Sequence, residues 1–198
     1  MYCAFRKVDP DDKSEHWLNR WASWTTSSNL CHVELVIKMA CMEDRSCCES
    51  YASVFNFGHY YTFSVTSMSD GVFCLLDKDY TDTTKWEYVP LLCNVPMMRR
   101  HVYDFMTTQR GKPFNSMGMY LNFWTCVKVG MKDGDDYTRA RSWFCSELIA
   151  ACLSYCGLVD LDGASPCDIS PARLYHMLQD QRDYPRIPAL SAGVFFDS

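Results

Sequence analysis

The sequence has no cluster of basic residues, which restricts the partners that the protein can bind. Its 19 Lys and Arg residues are outnumbered by 24 Asp and Glu residues, and the formal net charge is −5. Contact with a phosphate backbone needs clustered Lys and Arg side chains, so we expect no nucleic-acid partner. Charged residues also interrupt each apolar stretch well short of about 18 residues, and no charged start precedes an apolar segment. We therefore expect neither a membrane span nor a secretion signal.

Metal-binding spacings are also missing, although the chain has 12 cysteines. Cys31, His32, Cys41, Cys47 and Cys48 lie close together but lack the paired Cys-x-x-Cys or His-x-x-x-His spacing of a zinc site. We expect no metal and no cofactor. The cysteines are scattered through apolar segments instead of forming a small disulfide framework. This pattern favours reduced thiols and a cytoplasmic location, in the host cytoplasm if the protein is viral.

Length and composition are those of a single globular domain. The chain has 198 residues, of which 48% are apolar and 22% charged, and no internal repeat divides it. Strands are predicted over 31–39, 49–57, 60–65, 71–76 and 86–92, and helices over 96–110, 144–156 and 171–179. Strands and helices grouped in blocks predict an α+β fold with a central, mostly antiparallel β-sheet packed by helices.

The strand predicted over 31–39 carries two candidate site residues. Its odd-numbered positions are apolar and its even-numbered ones include His32 and Glu34, which indicates one core face and one polar face. His32 is a candidate base, and Glu34 lies on the same face, where a carboxylate is placed to orient the imidazole. Spacing alone also fits a structural histidine on a solvated polar face.

Cys145 is a candidate nucleophile because it lies at the start of the helix predicted over 144–156. Unpaired backbone N–H groups and the helix dipole favour a thiolate there, and the thiolate is the reactive form. A buried structural thiol is the alternative, since free cysteine is among the most buried residue types. Trp143 and Phe144, which precede Cys145, are candidates for the wall of an apolar acyl pocket.

Six short motifs occur in a recognisable order along the chain. They are His32-Val33-Glu34-Leu35-Val36, Ser50-Tyr51-Ala52-Ser53, Trp86-Glu87-Tyr88-Val89-Pro90-Leu91, Gly111-Lys112-Pro113-Phe114-Asn115-Ser116-Met117-Gly118, Trp143-Phe144-Cys145-Ser146-Glu147-Leu148 and Ile169-Ser170-Pro171. Their order resembles the circularly permuted NlpC-type papain-like cysteine hydrolase family, which includes YiiX-like bacterial and poxvirus relatives. The resemblance covers roughly 29–178. It leaves 1–28 as an N-terminal extension and 180–198 as a C-terminal tail of one permuted papain-like domain.

This resemblance implies a cysteine hydrolase that cleaves an amide or peptide bond through a thioester intermediate. By position it assigns Cys145 as the nucleophile, His32 as the general base and Glu34 as the residue that orients the base. Ser53 and Glu49 remain rivals for the third role, because papain-like folds usually draw that residue from a neighbouring strand. The expected partner is a peptide, amide or acyl substrate.

Two other functions remain open at this stage. A thioesterase or lipid acyltransferase is one, because the related lecithin:retinol acyltransferase group shares the permuted arrangement, although its Asn-Cys-Glu-His-Phe motif is absent here. The other is a binding module on a papain-like scaffold whose chemistry has decayed, since a fold does not by itself imply an activity.

Overall fold

A computed structural model describes residues 1–9, 17–40, 58–91, 96–124 and 129–183. Five strands lie in these ranges and form one sheet in the order β4-β3-β2-β1-β5, in which each neighbouring pair is antiparallel. The strands are β1 (Tyr2–Lys7), β2 (Leu30–Ala40), β3 (Gly58–Ser64), β4 (Phe73–Leu76) and β5 (Trp86–Pro90).

Five α-helices lie in the same ranges, and several of them pack against this sheet. They are α1 (Trp17–Thr25), α2 (Pro96–Thr108), α3 (Ser116–Trp124), α4 (Cys145–Tyr155) and α5 (Pro171–Asp183), with short 3-10 turns at Tyr137–Arg139 and Pro166–Asp168. Strand β2 contacts α1, α2, α4 and α5. The predicted α+β class, with an antiparallel sheet packed by helices, is therefore confirmed. None of the described helices is long and apolar enough to cross a membrane.

The hydrophobic core lies between β2 and α4. Val33, Leu35 and Ile37 are fully buried on the face that the alternation assigned to the core. Leu148 and Ile149 of α4 belong to the same cluster. Full burial of one such side chain contributes about 1.5–3 kcal/mol relative to leaving it exposed. This packing fixes the start of α4 relative to the strand that carries His32.

The second face of β2 is buried as well, which the alternation did not predict. Glu34 is 2% exposed and Val36 is 0% exposed. Lys78 and Tyr80, from the segment between β4 and β5, contact the Glu34 carboxylate directly. The even-numbered positions of β2 therefore include a buried polar site rather than only solvated side chains.

Three elements were missed in the sequence. Strand β1 lies between β2 and β5, although the sequence analysis assigned 1–28 to an extension. Its Cys3, Ala4 and Phe5 are all buried, so a strand covered on both faces shows no clean alternation. Helices α1 and α3 are short and were not predicted. The strand predicted over 49–57 lies outside the described residues.

Candidate active site

Cys145 is the first residue of α4, and it is held there by the residues on either side. The preceding residue, Phe144, has the extended backbone of a helix N-cap. Glu147 folds back so that its Oε2 accepts a hydrogen bond from the Phe144 N–H at 3.3 Å, while its Oε1 accepts one from the Met131 N–H at 2.7 Å. A carboxylate at this position satisfies one of the unpaired N–H groups at the helix N-terminus. The N-terminus of α4 is thus tied to a neighbouring loop.

The Gly-Lys-Pro motif gives the chain before Cys145 a second attachment. The Trp143 N–H donates to the Pro113 carbonyl at 3.0 Å, and the Asn115 N–H donates to the Trp143 carbonyl at 2.8 Å. The Trp143 indole N–H donates to Gln109 Oε1 at 3.1 Å. Trp143 is 0% exposed and Phe144 is 1% exposed. Neither lines the cleft beside Cys145, so the acyl-pocket expectation for these two residues is wrong.

The Cys145 thiol and the His32 side chain line the same cleft, and each shifts the pKa of the other. The backbone N–H groups of Val33 and Ser146 also favour the charged sulfur. Burial alone raises the pKa of the Cys145 thiol, but the His32 charge and these N–H donors outweigh burial and lower the pKa below its ordinary value. The thiolate is therefore favoured at this position.

His32 is correspondingly a stronger base than an ordinary histidine. Burial by itself lowers the pKa of His32, but the Cys145 thiolate and then the Glu34 carboxylate outweigh burial and raise that pKa to about 9. Between the lowered thiol pKa and about pH 9, the two residues form an imidazolium–thiolate pair.

Glu34 contacts the same imidazole. His32 Nε2 is 3.2 Å from Glu34 Oε1, and the Glu34 side chain is 3% exposed. Burial raises the pKa of Glu34, but the charges of His32 and Lys78 and their hydrogen bonds lower it to about 2. The carboxylate is thus ionised throughout the neutral range. The three residues singled out in the sequence form one continuous contact, Glu34 to His32 to Cys145.

Ser64 on β3 also contacts the imidazole, a role that was not predicted from the sequence. Its Oγ is 3.3 Å from His32 Nε2 and donates to the Val33 carbonyl at 2.8 Å. The Ser64 hydroxyl proton is thus donated to the Val33 carbonyl, and Ser64 is an uncharged neighbour of the His32 ring. The two rivals for the third role, Ser53 and Glu49, lie outside the described residues.

A cleft of about 80 Å³ opens onto the thiol and the imidazole. Besides Cys145 and His32 its lining includes Arg6 from β1, Cys31 from β2, Met119 from α3 and Phe114 from the Gly-Lys-Pro motif. Cys145 is 5% exposed, so the cleft gives a small reacting group access to its sulfur. Among the described residues, no three His, Cys, Asp or Glu side chains are arranged to hold a metal ion.

Comparisons with family models, with curated proteins and with solved structures found no match to this chain.

Proposed function

We propose that the protein is a cysteine hydrolase with a permuted papain-like fold, and that it cleaves an amide or peptide bond. The observation that carries the proposal is the contact of Cys145 with His32, with the Glu34 carboxylate 3.2 Å from the same ring. A thiol at a helix N-terminus, a histidine and an orienting carboxylate are the components of nucleophilic acyl transfer.

The chain order also supports a permuted arrangement. His32 lies on a central strand of the sheet and precedes Cys145 in sequence, and Cys145 begins a helix packed on that strand. This is the order that the resemblance to the permuted NlpC-type family implies, with the histidine before the cysteine.

The reaction proceeds in two halves. The Cys145 thiolate attacks the carbonyl carbon, and the resulting oxyanion is stabilised by the Cys145 backbone N–H in the first turn of α4. The His32 imidazolium then gives its proton to the departing amine as the C–N bond breaks, which leaves a thioester on Cys145. His32 next takes a proton from water, whose oxygen attacks the thioester, and the acid product leaves with Cys145 as thiolate and His32 as imidazolium.

Acylation of Cys145 by an activated ester tests the proposal directly. Stopped-flow mixing with p-nitrophenyl acetate should release p-nitrophenol in a burst equal to the enzyme concentration, and mass spectrometry of quenched samples should place the acetyl group on Cys145. Cys145→Ala should abolish the burst and His32→Ala should slow it strongly.

Cys156, the C-cap of the same helix, provides a matched control. A hydrogen bond with Cys152 lowers the pKa of Cys156, but Cys156 lines a separate cavity beside α2. Cys156→Ala should therefore retain the burst. If no acyl group forms on Cys145, the protein is a binding module and the proposed hydrolysis is wrong.

A further inference from the structure

The Glu34 carboxylate is shared among three side chains, of which the sequence identified only His32. Lys78 Nζ lies 2.7 Å from both Glu34 oxygens. The Tyr80 hydroxyl donates a short hydrogen bond to Oε2 and lies 3.1 Å from Thr62 Oγ1. Oε2 is therefore bound by Lys78 and Tyr80, while Oε1 is divided between Lys78 and His32.

The segment that carries Lys78 and Tyr80 is fixed at both ends. Before it, Asp77 and Tyr60 exchange two hydrogen bonds, from the Asp77 N–H to the Tyr60 carbonyl at 2.8 Å and from the Tyr60 N–H to Asp77 Oδ1 at 2.9 Å. After it, the Tyr88 hydroxyl donates to the Tyr80 carbonyl. These contacts present both side chains to Glu34 in one geometry.

Aromatic rings hold the Lys78 ammonium over the carboxylate. Its Nζ lies 4.7 Å from the Trp86 ring centroid and 5.3 Å from that of Tyr80, and the Tyr80 and Trp86 rings meet edge to face at 5.1 Å. A cation over two ring faces is stabilised there by the negative face of each ring. The Lys78 side chain is 27% exposed, so its charge is only partly screened by solvent.

We infer that Lys78 and Tyr80 are positioning residues that hold Glu34 beside His32 and, through Lys78, withdraw part of its negative charge from the imidazole. The inference rests on the proposed function, because it concerns how the same carboxylate acts on the base. A carboxylate that faced His32 alone would hold the imidazolium proton more strongly. Proton donation to the leaving group requires that the proton also be released, so sharing the carboxylate favours that step.

Among the described residues, the charged or titratable groups near His32 come from several elements. They are Arg6 of β1, Cys31 and Glu34 of β2, Cys145 of α4, and Lys78 and Tyr80 of the segment between β4 and β5. Of these, Cys145 titrates together with His32 and would obscure its proton loss. A test of Lys78 therefore needs a chain in which that thiol is absent.

The experiment measures the pH midpoint for proton loss at His32 by NMR of its imidazole in a Cys145→Ala background. Lys78→Met should raise the midpoint by about 1 pH unit, the order expected for removing one nearby positive charge. Lys78→Arg keeps the charge and should restore the Cys145→Ala midpoint. Tyr80→Phe removes a neutral donor and should shift the midpoint in the same direction by less.

Lys85→Met is the matched control, since Lys85 belongs to the same segment but its side chain is 61% exposed and lies near Asp82. It should leave the midpoint unchanged. An unchanged or lower midpoint in Lys78→Met overturns the inference, and Lys78→Gln repeats the test if Lys78→Met does not fold. Because Cys145 is absent from these proteins, the result is independent of acylation: a raised midpoint with no acyl-enzyme in the native chain would refute the hydrolase proposal alone.

Discussion

The thiol of Cys145 lies beside the imidazole of His32 because a helix N-terminus packs against the strand that carries the histidine. The contact changes both groups in complementary directions. The pKa of the thiol is lowered, although its burial acts in the opposite sense, and the pKa of His32 is raised to about 9, again against the effect of burial. The charged form of each group is therefore favoured by the other, which makes the reactivity of the thiol measurable without knowledge of the substrate.

Alkylation by iodoacetamide should single out Cys145 at mildly acidic pH. A thiol with a lowered pKa reacts well below the free-thiol value of about 8.5, whereas burial raises the pKa of Cys152. Site-resolved mass spectrometry across pH 5–9 should give a Cys145 midpoint below that of a free thiol. His32→Ala should slow the reaction near neutrality, because the neighbouring positive charge is lost.

Cys156 is the demanding comparison for this measurement, since its pKa is also lowered. Labelling of Cys156 should be insensitive to His32→Ala, because the pKa of Cys156 is lowered by a hydrogen bond with Cys152 and not by a histidine. Equal effects of His32→Ala on both cysteines would show that the substitution acts on the whole fold. A Cys145 midpoint near the free-thiol value would leave the hydrolase without its nucleophile.

Glu34→Gln should preserve the fold and reduce the rate of ester hydrolysis by about 10- to 1000-fold, since the amide cannot stabilise the imidazolium as a carboxylate does. The steady-state rate with p-nitrophenyl acetate and the melting temperature should be measured together. Glu87→Gln is the matched control: Glu87 lies on β5 and accepts a hydrogen bond from the Tyr175 hydroxyl. A rate unaffected by Glu34→Gln would transfer the orienting role elsewhere, with Ser64 as the next candidate.

The sequence identified the residues whose positions follow from periodicity. Alternation along β2 placed His32 and Glu34 on one face, and the helical pattern after Phe144 placed Cys145 at a helix start. Lys78 could not be found in this way, because the segment between β4 and β5 has no repeating pattern and its approach to Glu34 depends on tertiary packing. Ser64 was missed for a similar reason, since its role appears only when β3 is paired in register with β2.

The environment of Glu147 also does not follow from the sequence. A glutamate one turn into an amphipathic helix is ordinarily solvated, yet Glu147 is 0% exposed. Burial raises its pKa to about 7, against the effect of its hydrogen bonds from Met131 and Phe144. A backbone that folds over the helix start is a tertiary feature, and Gly130 allows it: a Cβ there would lie 2.2 Å from Glu147 Oε1.

Glu147 should make the protein less stable as the pH rises from about 4.5 to 7. The pKa of Glu147 in the folded state is raised above the unfolded value of about 4.3, so the folded state binds the proton more tightly. The resulting stabilisation of the folded state is lost when Glu147 ionises. Glu147→Gln removes this titration, and its melting temperature should vary less across the window. His32 contributes with the same sign in a higher window, since its folded pKa of about 9 gives stability that is lost only as the pH rises from about 6.5 through 9. An unchanged pH dependence between 4.5 and 7 in Glu147→Gln would contradict the assignment.

Gly71 should be essential to the placement of Cys145, although it lies far from the thiol in sequence. Its φ is +150°, and an added Cβ would lie 2.6 Å from the Gly111 carbonyl oxygen and 2.9 Å from that of Lys112. The segment that contains Gly71 is also joined to Gly111 and Lys112 by two hydrogen bonds. The Val72 N–H donates to the Lys112 carbonyl, and the Gly111 N–H donates to the Val72 carbonyl. A side chain at position 71 would force these segments apart.

Gly71→Ala therefore combines a backbone penalty with a steric one, and should cost about 2 kcal/mol or more, equivalent to a melting temperature lowered by roughly 4–8 °C. Gly134→Ala is the matched control, because Gly134 has a φ of +79° but nothing within 4 Å of an added Cβ, so it should cost only about 1 kcal/mol. Gly111 and Lys112 directly precede Pro113, which binds the backbone of Trp143 two residues before the thiol. Alkylation of Cys145 at mildly acidic pH should accordingly slow in folded Gly71→Ala and stay normal in Gly134→Ala. Equal losses of melting temperature in the two variants, with unchanged alkylation, would show that the Gly-Lys-Pro motif does not position the thiol.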